Sequence, residues 1–439
     1  MKKFKPSKKQ IIIGIIAFTL IFGGGITAGY FYFNQAPSNQ QAEQTQNKHH
    51  SFIGEIYDKI QEYYWEEVSD ESLSNIFKLG AEKITGEPQE LMQKNKQGVL
   101  SLFDKTTQGM DEEKKNAFAV QLSNIVLVNL KPFKRSGLFT QKQEEELKNK
   151  VQNVNPETDL YASLGLEKGA AQEEIDKAYK EKTEPLKNKG TEEAKQELKE
   201  LDYAYNVLSN NQAKEIYDSS GTEPTILANL ISPNILHLYM KRVSPTSVHD
   251  LKRVTEEYDK GEKLDTLILD LRKNIGGSLD ILPYLLGPFI GNNQYAFELF
   301  QQGNHEPFKT KLGWLPSLVR YKKVVILTDK NTQSSAEVMA ATLKKYNVGV
   351  LVGETTKGWG TIEKVYQIEN QIDPEQKYSM FLVNHLTLRD DNQPIEGNGV
   401  DPLININDSN WKELLYKYFN SQRIVNVVED IWNTPPEEL

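Results

Sequence analysis

The sequence predicts a multidomain α+β protein with an N-terminal transmembrane helix, a helical region and an α/β core. Its 439 residues exceed what one compact core normally holds, so several domains are expected. An uncharged apolar run opens the chain, and residues with helical periodicity follow it. Short β-rich runs alternate with helix-length segments only beyond residue 222, which predicts that the α/β part comes last.

Composition excludes several classes of function. The net charge is −9, and binding to nucleic acid needs a basic face, so nucleic acid is not expected as a partner. The chain has no cysteine, which excludes disulfides, thiolate metal sites and cysteine nucleophiles. The pair His49–His50 has no third ligand nearby in the sequence. No metal ion and no organic cofactor is therefore expected.

The N-terminal segment has the pattern of a membrane anchor. A lysine-rich stretch, residues 1–10, precedes an apolar run at 11–33 that is long enough to cross a bilayer as a helix. The run ends in four aromatic residues, 30–33, as an uncleaved anchor does at the membrane interface. Positive residues stay cytoplasmic, so the bulk of the chain is expected outside the cytoplasm, at the cell surface or in the periplasm. The spacing of Gly25 and Gly29 leaves a homodimer as an option.

A linker and a helical region follow the predicted anchor. Residues 34–50 are polar and nearly free of large apolar side chains, which is typical of a flexible linker. From Phe52 to Tyr64, apolar residues recur every three or four positions, and similar patterns continue to residue 155. The region 51–155 contains no catalytic constellation. A packing or dimerisation role is the simpler interpretation.

A second helical unit is expected at residues 156–221. Its elements DLYASLGL, EEIDKAYK, DYAYNVLS and EIYDSSG resemble those of a J domain across nearly its whole length. J domains stimulate a chaperone ATPase through a His-Pro-Asp tripeptide between their two long helices. Here that loop reads PLKNKGTEE, with Lys187, Asn188 and Lys189 near the tripeptide position. The resemblance implies that the fold is kept and that a chaperone ATPase is not a partner.

The α/β part is predicted at residues 222–405. The runs ILHLYM, TLILDL, VVILTD and VGVLVG alternate with helical segments, which indicates a sheet covered on both faces. A helical tail without a site signature is expected at 406–439.

Three loops at strand ends are candidates for chemistry. In DLRKNIGG, the adjacent Gly276 and Gly277 free backbone N–H groups to face a ligand, although a tight turn explains them equally well. In DKNTQSSAEVM, Ser334 stands where a strand turns into a helix, but Ser334 with Glu337 also fits a capping box. The third loop, GETTKGWGT at residues 353–361, is rich in glycine.

In this order the three loops resemble the core of the tail-specific, or carboxyl-terminal processing, serine peptidases. The resemblance covers 222–405 well and 52–85 loosely, and it implies a ClpP/crotonase-like fold and polypeptide substrates. It also implies that Ser334 is the nucleophile and that the N–H groups of Gly276 and Ser335 form the oxyanion hole. Family peptidases usually carry a PDZ domain before the core, whereas here the J-like unit occupies that place.

The catalytic base departs from the family pattern. The family's general-base lysine corresponds to Trp359 and its glutamine to Glu363. Tryptophan has no basic nitrogen, so Trp359 cannot remove the serine proton. Lys357 lies two residues earlier and is the leading candidate for a displaced base. His237 and His385 on predicted strands are further options.

Two functions stay open on the sequence. One is a membrane-anchored serine-type peptidase that cleaves extracytoplasmic polypeptides with Ser334 and Lys357. The other is a catalytically inactive pseudopeptidase that binds extended chains as a scaffold or adaptor.

Overall fold

The computed structural model describes residues 47–434 and 436, except 188, 190, 232–233, 259–263, 390 and 392. The described residues from Lys48 onward belong to one compact unit, Lys48–Leu439. The predicted basic tail at 1–10, the anchor at 11–33 and nearly all of the linker lie outside the described residues. Within the described ranges, no helix combines the length and apolar character that a membrane crossing requires.

The N-terminal region is a helical layer that packs on a sheet. It contains α1 (Lys48–Tyr63), α2 (Asp70–Thr85), α3 (Lys96–Thr106), α4 (Glu112–Val128), β1 (Gly137–Thr140) and α5 (Gln141–Gln152). Aromatic and branched side chains such as Phe52, Tyr57 and Phe77 are fully buried between these helices. Met380 and Leu382, from a strand much later in the chain, complete the same core. The region therefore does not form an independent domain.

Two boundaries in this region differ from the prediction. Helix α1 begins at Lys48, inside the segment predicted as linker. His49 is 3% exposed, its ring centroid lies 5.4 Å from that of Phe103, and its Nε2 lies 2.8 Å from Asn116 Oδ1. These partners are distant in sequence, so the polar composition of the segment concealed its role. In addition, β1 is a strand within the region predicted to be helical.

The J-like unit contains α6 (Leu160–Leu164), α7 (Gln172–Thr183), α8 (Glu192–Leu208) and α9 (Asn211–Ser220) around its own apolar core. Its two ends meet: Val154 pairs with Thr222, and the Asn153 side chain donates to the carbonyl of Glu223 at 3.0 Å. The chain therefore enters and leaves the J-like unit through two segments that lie side by side. Lys187 and Lys189 lie in the turn between α7 and α8.

A six-stranded sheet forms the centre of the α/β part. Its strands are β2 (Ile226–Ile231), β3 (Ile235–Met240), β4 (Thr266–Asp270), β7 (Lys323–Thr328), β8 (Val350–Gly353) and β11 (Ile404–Asn405). Their order across the sheet is β11-β8-β7-β4-β3-β2. All neighbours are parallel except β2 and β3. β2 is thus an edge strand.

Helices cover both faces of this sheet, as the continuous apolar strands predict. On one face lie α10 (Ser247–Tyr258), α11 (Leu282–Ile290), α12 (Pro316–Val319) and α13 (Ser335–Lys345). On the other face lie α14 (Trp411–Phe419) and α15 (Gln422–Asn433). The predicted helical tail is therefore an integral layer of the core, since Leu415 and Val428 pack on Ile268 and Val325 of the sheet.

A second sheet was not expected from the sequence. It is antiparallel and joins β1 to β5 (Tyr295–Gln301), β6 (Asn304–Lys309), β9 (Thr361–Gln367) and β10 (Tyr378–Leu388). β9 and β10 pair from Gln367–Ser379 to Thr361–Leu386, with a β-bulge between Val383 and His385. This sheet carries the residues after the glycine-rich loop back towards the N-terminal helices.

Candidate active site

Ser334 lies in a strained turn between β7 and α13. Its backbone has φ 58° and ψ −131°, a conformation that residues with side chains rarely adopt. Helix α13 begins at the next residue, so the serine stands at the positive end of the helix. A sharp strand-to-helix turn of this kind exposes a nucleophile at the top of a sheet.

Gly276 packs directly against this turn. A Cβ atom at position 276 would lie 2.7 Å from Ser334 Cβ and 2.9 Å from both Gln333 O and Ser335 N. Gly276 also has φ +81°, which favours glycine. The DLRKNIGG and SSAE segments therefore meet because position 276 has no side chain.

Gly276→Ala is expected to lower the free energy of unfolding by about 3 kcal/mol or more, because steric overlap adds to the strain of a positive φ. Gly303→Ala is the matched control: its φ is +80°, but nothing lies within 4 Å of the added Cβ. The control is expected to cost only about 1 kcal/mol. Urea unfolding of both variants measures the difference, and equal losses would contradict the close packing at Gly276.

The N–H groups around Ser334 differ in their availability. Gly276 N–H donates to Asn274 Oδ1 at 2.9 Å, so the predicted oxyanion donor already has an acceptor within its own loop. Ser335 N–H and Gly277 N–H have no hydrogen-bond acceptor within the described ranges. Ser335 N–H lies directly after Ser334 and Gly277 N–H follows the glycine that packs on Ser334, so both are candidate donors to a developing oxyanion.

Glu337 joins the serine turn to the glycine-rich loop. Its carboxylate is fully buried and accepts from the N–H groups of Ser334 (2.8 Å), Gly358 (2.7 Å) and Trp359 (2.8 Å). The Thr356 hydroxyl donates to the same carboxylate. Burial raises the pKa of Glu337, and these hydrogen bonds oppose that shift. The contact with Ser334 N–H is the one a capping box predicts, but the carboxylate also fixes the neighbouring loop.

The structure places Lys357 on the surface of this loop. Its Nζ donates to Gln333 Oε1 at 2.6 Å and lies 5.1 Å from the centroid of the Trp359 ring. No hydrogen bond joins Lys357 to Ser334 Oγ within the described part of the chain. Lys357 therefore lies beside the loop that carries Ser334. Its ammonium group is hydrogen-bonded to Gln333, the residue before the serine.

Trp359 is held by a cation on its ring face and by a carboxylate at its ring nitrogen. Arg135, from the segment between α4 and β1, places its guanidinium carbon 3.5 Å from the ring centroid. Trp359 Nε1 donates to Glu363 Oε1 at 3.0 Å. Arg135 also pairs with Glu396, whose Oε2 accepts from Gly360 N–H at 2.8 Å. The two positions that the sequence predicts to correspond to the family's lysine and glutamine therefore hold a hydrogen-bonded Trp–Glu pair under a cationic side chain.

Burial raises the pKa of Glu363 to about 7, although Thr361, Trp359 and the charge of Arg135 act in the opposite direction. A carboxyl group whose folded-state pKa is raised stabilises the fold at acidic pH, and this stability is lost as the pH rises through about 7. We expect the free energy of unfolding to fall by roughly 2–3 kcal/mol between pH 5 and pH 8. Glu363→Gln keeps an acceptor for Trp359 and should remove this component of the pH dependence.

Urea unfolding at the two pH values tests this expectation. Glu375→Gln, at an exposed position, is the matched control and should retain the wild-type slope. A Glu363→Gln protein with the wild-type slope would show that Glu363 titrates normally.

The two histidines considered as bases lie on different sheets. His237 is buried on the sheet face covered by α14 and α15, with its Nε2 3.4 Å from Asp270 Oδ2. Helix α13, which begins next to Ser334, packs on the opposite face. His385 lies on β10 opposite Ile362, and burial with the nearby Lys364 lowers its pKa to about 4. It is thus neutral near pH 7.

Three residues at the site were missed by sequence reasoning: Arg135, Glu337 as a loop anchor, and Glu396. Arg135 comes from the N-terminal region, and no pattern connected it with a loop more than 200 residues later. Glu337 was noted only as a helix cap, and the buried loop donors that it satisfies become visible only in three dimensions.

Comparison with known proteins identifies two domains. Residues 234–406 match peptidase family S41, and residues 159–218 match the DnaJ domain. Among curated proteins, the DnaJ-like protein R260 of Acanthamoeba polyphaga mimivirus is 44% identical over 69 residues, which are 15% of this chain and 17% of that protein. The chaperone protein DnaJ of Clostridium acetobutylicum is 48% identical over 67 residues, 15% of this chain and 18% of that protein. The chain thus spans less than a fifth of the length of these relatives.

Among solved structures, the chain is similar to the photosystem II D1 C-terminal processing protease. It is 12% identical, with a TM-score of 0.47, and the match covers 82% of this chain and 93% of that one. A lipoprotein from Streptococcus agalactiae is 13% identical, with a TM-score of 0.43, over 89% of this chain and 100% of that one. The resemblance inferred from the motifs is confirmed: the chain combines a domain of peptidase family S41 with a DnaJ domain.

Proposed function

We propose that this protein is a membrane-anchored serine-type peptidase of the tail-specific type, with Ser334 as its nucleophile and extracytoplasmic polypeptides as substrates. The observation that carries the proposal is the strained Ser334 turn at the start of α13, with Gly276 packed against it. Backbone strain of this kind persists where the surrounding structure holds it, and it is concentrated at functional sites.

The proposed reaction is acyl transfer. Ser334 Oγ attacks the carbonyl carbon of a peptide bond, and its proton passes to a base. Ser335 N–H and a glycine N–H of the 276–277 pair donate to the carbonyl oxygen as it becomes negative. The base returns a proton to the leaving amine, and water then hydrolyses the acyl-enzyme.

Lys357 is the proposed base. Its Nζ must leave Gln333 Oε1, where it acts as a donor, and lose its proton before it can accept one from Ser334. Glu363 is a second candidate, because it accepts from the ring of Trp359, whose backbone N–H shares the Glu337 carboxylate with Ser334 N–H, and because burial raises the pKa of Glu363 to about 7. The two routes predict different sensitive variants.

An inactive pseudopeptidase that binds extended chains is the alternative function. It is favoured by the packing of Trp359 between Arg135 and Glu363 and by the engagement of Lys357 with Gln333. In that arrangement, the Lys357 ammonium is held as a donor to Gln333 Oε1 and cannot accept the serine proton. The loss of the His-Pro-Asp tripeptide from the DnaJ domain points in the same direction, since ATPase stimulation is not expected either.

The test is proteolysis of an unfolded model protein, reduced and carboxymethylated α-lactalbumin, by a soluble form that begins at Gln40. Ser334→Ala, Lys357→Ala and Glu363→Gln are assayed in parallel. Loss of cleavage in the serine and lysine variants would support the Ser334–Lys357 pair. Loss in the serine and Glu363 variants alone would assign the base to the carboxylate.

Binding of the model protein without cleavage by the wild type would overturn the peptidase and support the scaffold. Cleavage that survives Ser334→Ala would show that the activity comes from another site or from a contaminant. Membrane attachment is tested separately, by fractionating cells that express the full chain and a chain without residues 1–33.

A further inference from the structure

Large apolar side chains are exposed on α11, α12 and the segment that joins β6 to α12. They are Tyr284, Leu312, Trp314 and Val319. Trp314 is 68% exposed, whereas the other four tryptophans of the chain are partly buried. These four side chains, together with the exposed Lys309 and Lys311 beside them, are called the Trp314 surface. An exposed apolar group of this size marks an interaction site more often than it marks nothing.

The segment that carries Trp314 is fixed to α11. The Thr310 hydroxyl donates to Gly291 O at 2.6 Å, and the N–H groups of Lys311 and Leu315 donate to carbonyls of the same helix at 3.0 and 3.1 Å. A Cβ atom at Gly287 would lie 2.1 Å from Leu312 O, so the backbone of the segment touches the helix. The exposure of Leu312 and Trp314 is therefore set by a fastened backbone.

The side chains of the surface are close together in space. Lys311 Nζ lies 5.0 Å from the centroid of the Tyr284 ring. A Cβ atom at Gly291 would lie 3.0 Å from the ring of Trp314. Positions 284, 287 and 291 recur at steps of three and four, so these contacts share one face of α11. The surface is also convex, because a Cβ atom at Gly313, between Leu312 and Trp314, would meet no atom within 4 Å.

The surface is locally basic in a chain whose net charge is −9. The stretch 307–323 has no acidic residue and five cationic ones: Lys309, Lys311, Arg320, Lys322 and Lys323. Of these, Lys323 pairs with Asp265 at 3.7 Å. The acidic residues nearest in sequence to α11 and β6, Asp280 and Glu306, are exposed. Charges interact in solution over a Debye length of about 8–10 Å, so a ligand at Trp314 responds to the lysines rather than to the total charge.

This combination fits the surface of an anionic phospholipid bilayer. Tryptophan and tyrosine rings partition into the interfacial region of a membrane, and lysine side chains around them contact lipid phosphates. A second copy of the chain fits less well, because a two-fold interface would bring the same lysines face to face. An extended polypeptide binds in a groove or along a strand, and the Trp314 surface provides neither.

We propose that the Trp314 surface docks on an anionic phospholipid bilayer, with Leu312, Trp314 and Val319 in the interfacial region and Lys309 and Lys311 against the lipid phosphates. The inference depends neither on catalysis by Ser334 nor on the predicted anchor at 11–33. It gives the S41 domain its own contact with the membrane. Helix α11 packs against α13, which begins next to Ser334, so docking would also fix the orientation of the proposed nucleophile relative to the lipid.

Binding is measured by cosedimentation with vesicles made from equal parts of phosphatidylcholine and phosphatidylglycerol. The protein is the form that begins at Gln40, which contains the whole compact unit and lacks the predicted anchor. Trp314→Ala is expected to lower the partition coefficient by about tenfold, because a large apolar side chain no longer leaves water. Tyr418→Ala is the matched control: Tyr418 is 59% exposed, but it lies on α14, on the opposite face of the central sheet. The control should stay within about twofold of wild type.

The contribution of charge is tested with a second pair of variants. Lys309→Gln/Lys311→Gln should lower the partition coefficient by about tenfold or more, and wild type should bind vesicles of phosphatidylcholine alone more weakly by a similar factor. Lys148→Gln/Lys150→Gln makes the same change of charge at the same spacing, at exposed positions of α5. It should bind as wild type does. Equal losses in the two double variants would mean that total charge governs binding, and the proposal would be wrong.

Quenching by brominated phosphatidylcholine identifies the tryptophan that meets the lipid. Vesicles that contain this lipid should quench part of the wild-type emission. Trp314→Phe keeps an apolar ring and should still bind, but the quenched component should be absent. Quenching that persists in bound Trp314→Phe protein would show that another tryptophan faces the membrane and would overturn the assignment of the surface.

The remaining outcomes separate the possible occupants. Failure of folded wild type to bind anionic vesicles, or equal binding by Trp314→Ala and Tyr418→Ala, overturns the proposal. If the protein is a dimer that Trp314→Ala dissociates, the surface pairs two copies of the chain and the proposal is wrong. It is also wrong if Trp314→Ala binds vesicles normally but no longer binds carboxymethylated α-lactalbumin, because the surface then receives a polypeptide.

Discussion

Replacing Glu337 with alanine is expected to lower the free energy of unfolding by about 3–5 kcal/mol. The buried carboxylate accepts from the N–H groups of Ser334, Gly358 and Trp359, and alanine would leave these donors without an acceptor. The serine turn and the glycine-rich loop should then separate. Cleavage of the unfolded model protein, which depends on their arrangement, should be lost as well. Urea unfolding followed by circular dichroism measures the loss of stability.

Two variants bracket this effect. Glu337→Gln keeps one acceptor oxygen but turns an amide donor towards other N–H groups, and it should lie between wild type and alanine. Glu354→Ala removes a carboxylate from the same loop whose contacts are longer and exposed, at 3.2 Å and 3.5 Å, and it should cost less than about 1 kcal/mol. If Glu337→Ala is no more damaging than Glu354→Ala, Glu337 is not the anchor of the loop.

Arg272→Met is expected to cost a similar amount, about 3–5 kcal/mol, because it leaves the buried carboxylate of Asp270 without its main partner. Arg272 is 4% exposed and Asp270 is fully buried, with Nη2 2.7 Å from Oδ2. Arg272 also donates to the carbonyl of Trp432 at 3.1 Å, which attaches α15 to the sheet. The last helix of the variant should therefore become sensitive to limited proteolysis.

A second substitution, at Asp270, tests whether the unpaired carboxylate causes the loss of stability in Arg272→Met. In the wild type, burial would raise the pKa of Asp270, but hydrogen bonds from His237 and Arg272 hold it below its ordinary value. Asp270 thus stabilises the wild type above pH 4 or so, and this stability is lost as the pH falls further. A second change, Asp270→Leu, added to Arg272→Met should recover part of the lost stability at pH 7. No recovery would mean that Arg272 acts mainly through Trp432.

Local patterns in the sequence were sufficient for much of this organisation. The apolar strands predicted the central sheet and its two covered faces, and the helical periodicities predicted the J-like unit and most of α1 to α4. The glycine pair and Ser334 were predicted to follow strand ends, and they do follow β4 and β7. Each of these features depends on residues that are close together in the chain.

Features that depend on distant residues could not be predicted in this way. The five-stranded sheet joins β1 to β10, and the side chain that stacks on Trp359 comes from Arg135. The orientation of Lys357 towards Gln333 depends on the conformation of a loop, which a spacing argument does not determine. The raised pKa of Glu363 likewise follows from burial by neighbours in space.

The pairing of β1 with β10 also sets the order of events during synthesis. Ser136 and Val383, which share a hydrogen bond, are separated by 247 residues. At about 5–20 residues per second, a ribosome needs roughly 12–50 s to make the intervening chain. Throughout that time the apolar side of the N-terminal helices has no strand to cover it. A nascent chain of this protein therefore spends tens of seconds in a state that is prone to aggregation, and a holding chaperone should have its largest effect on yield in that interval.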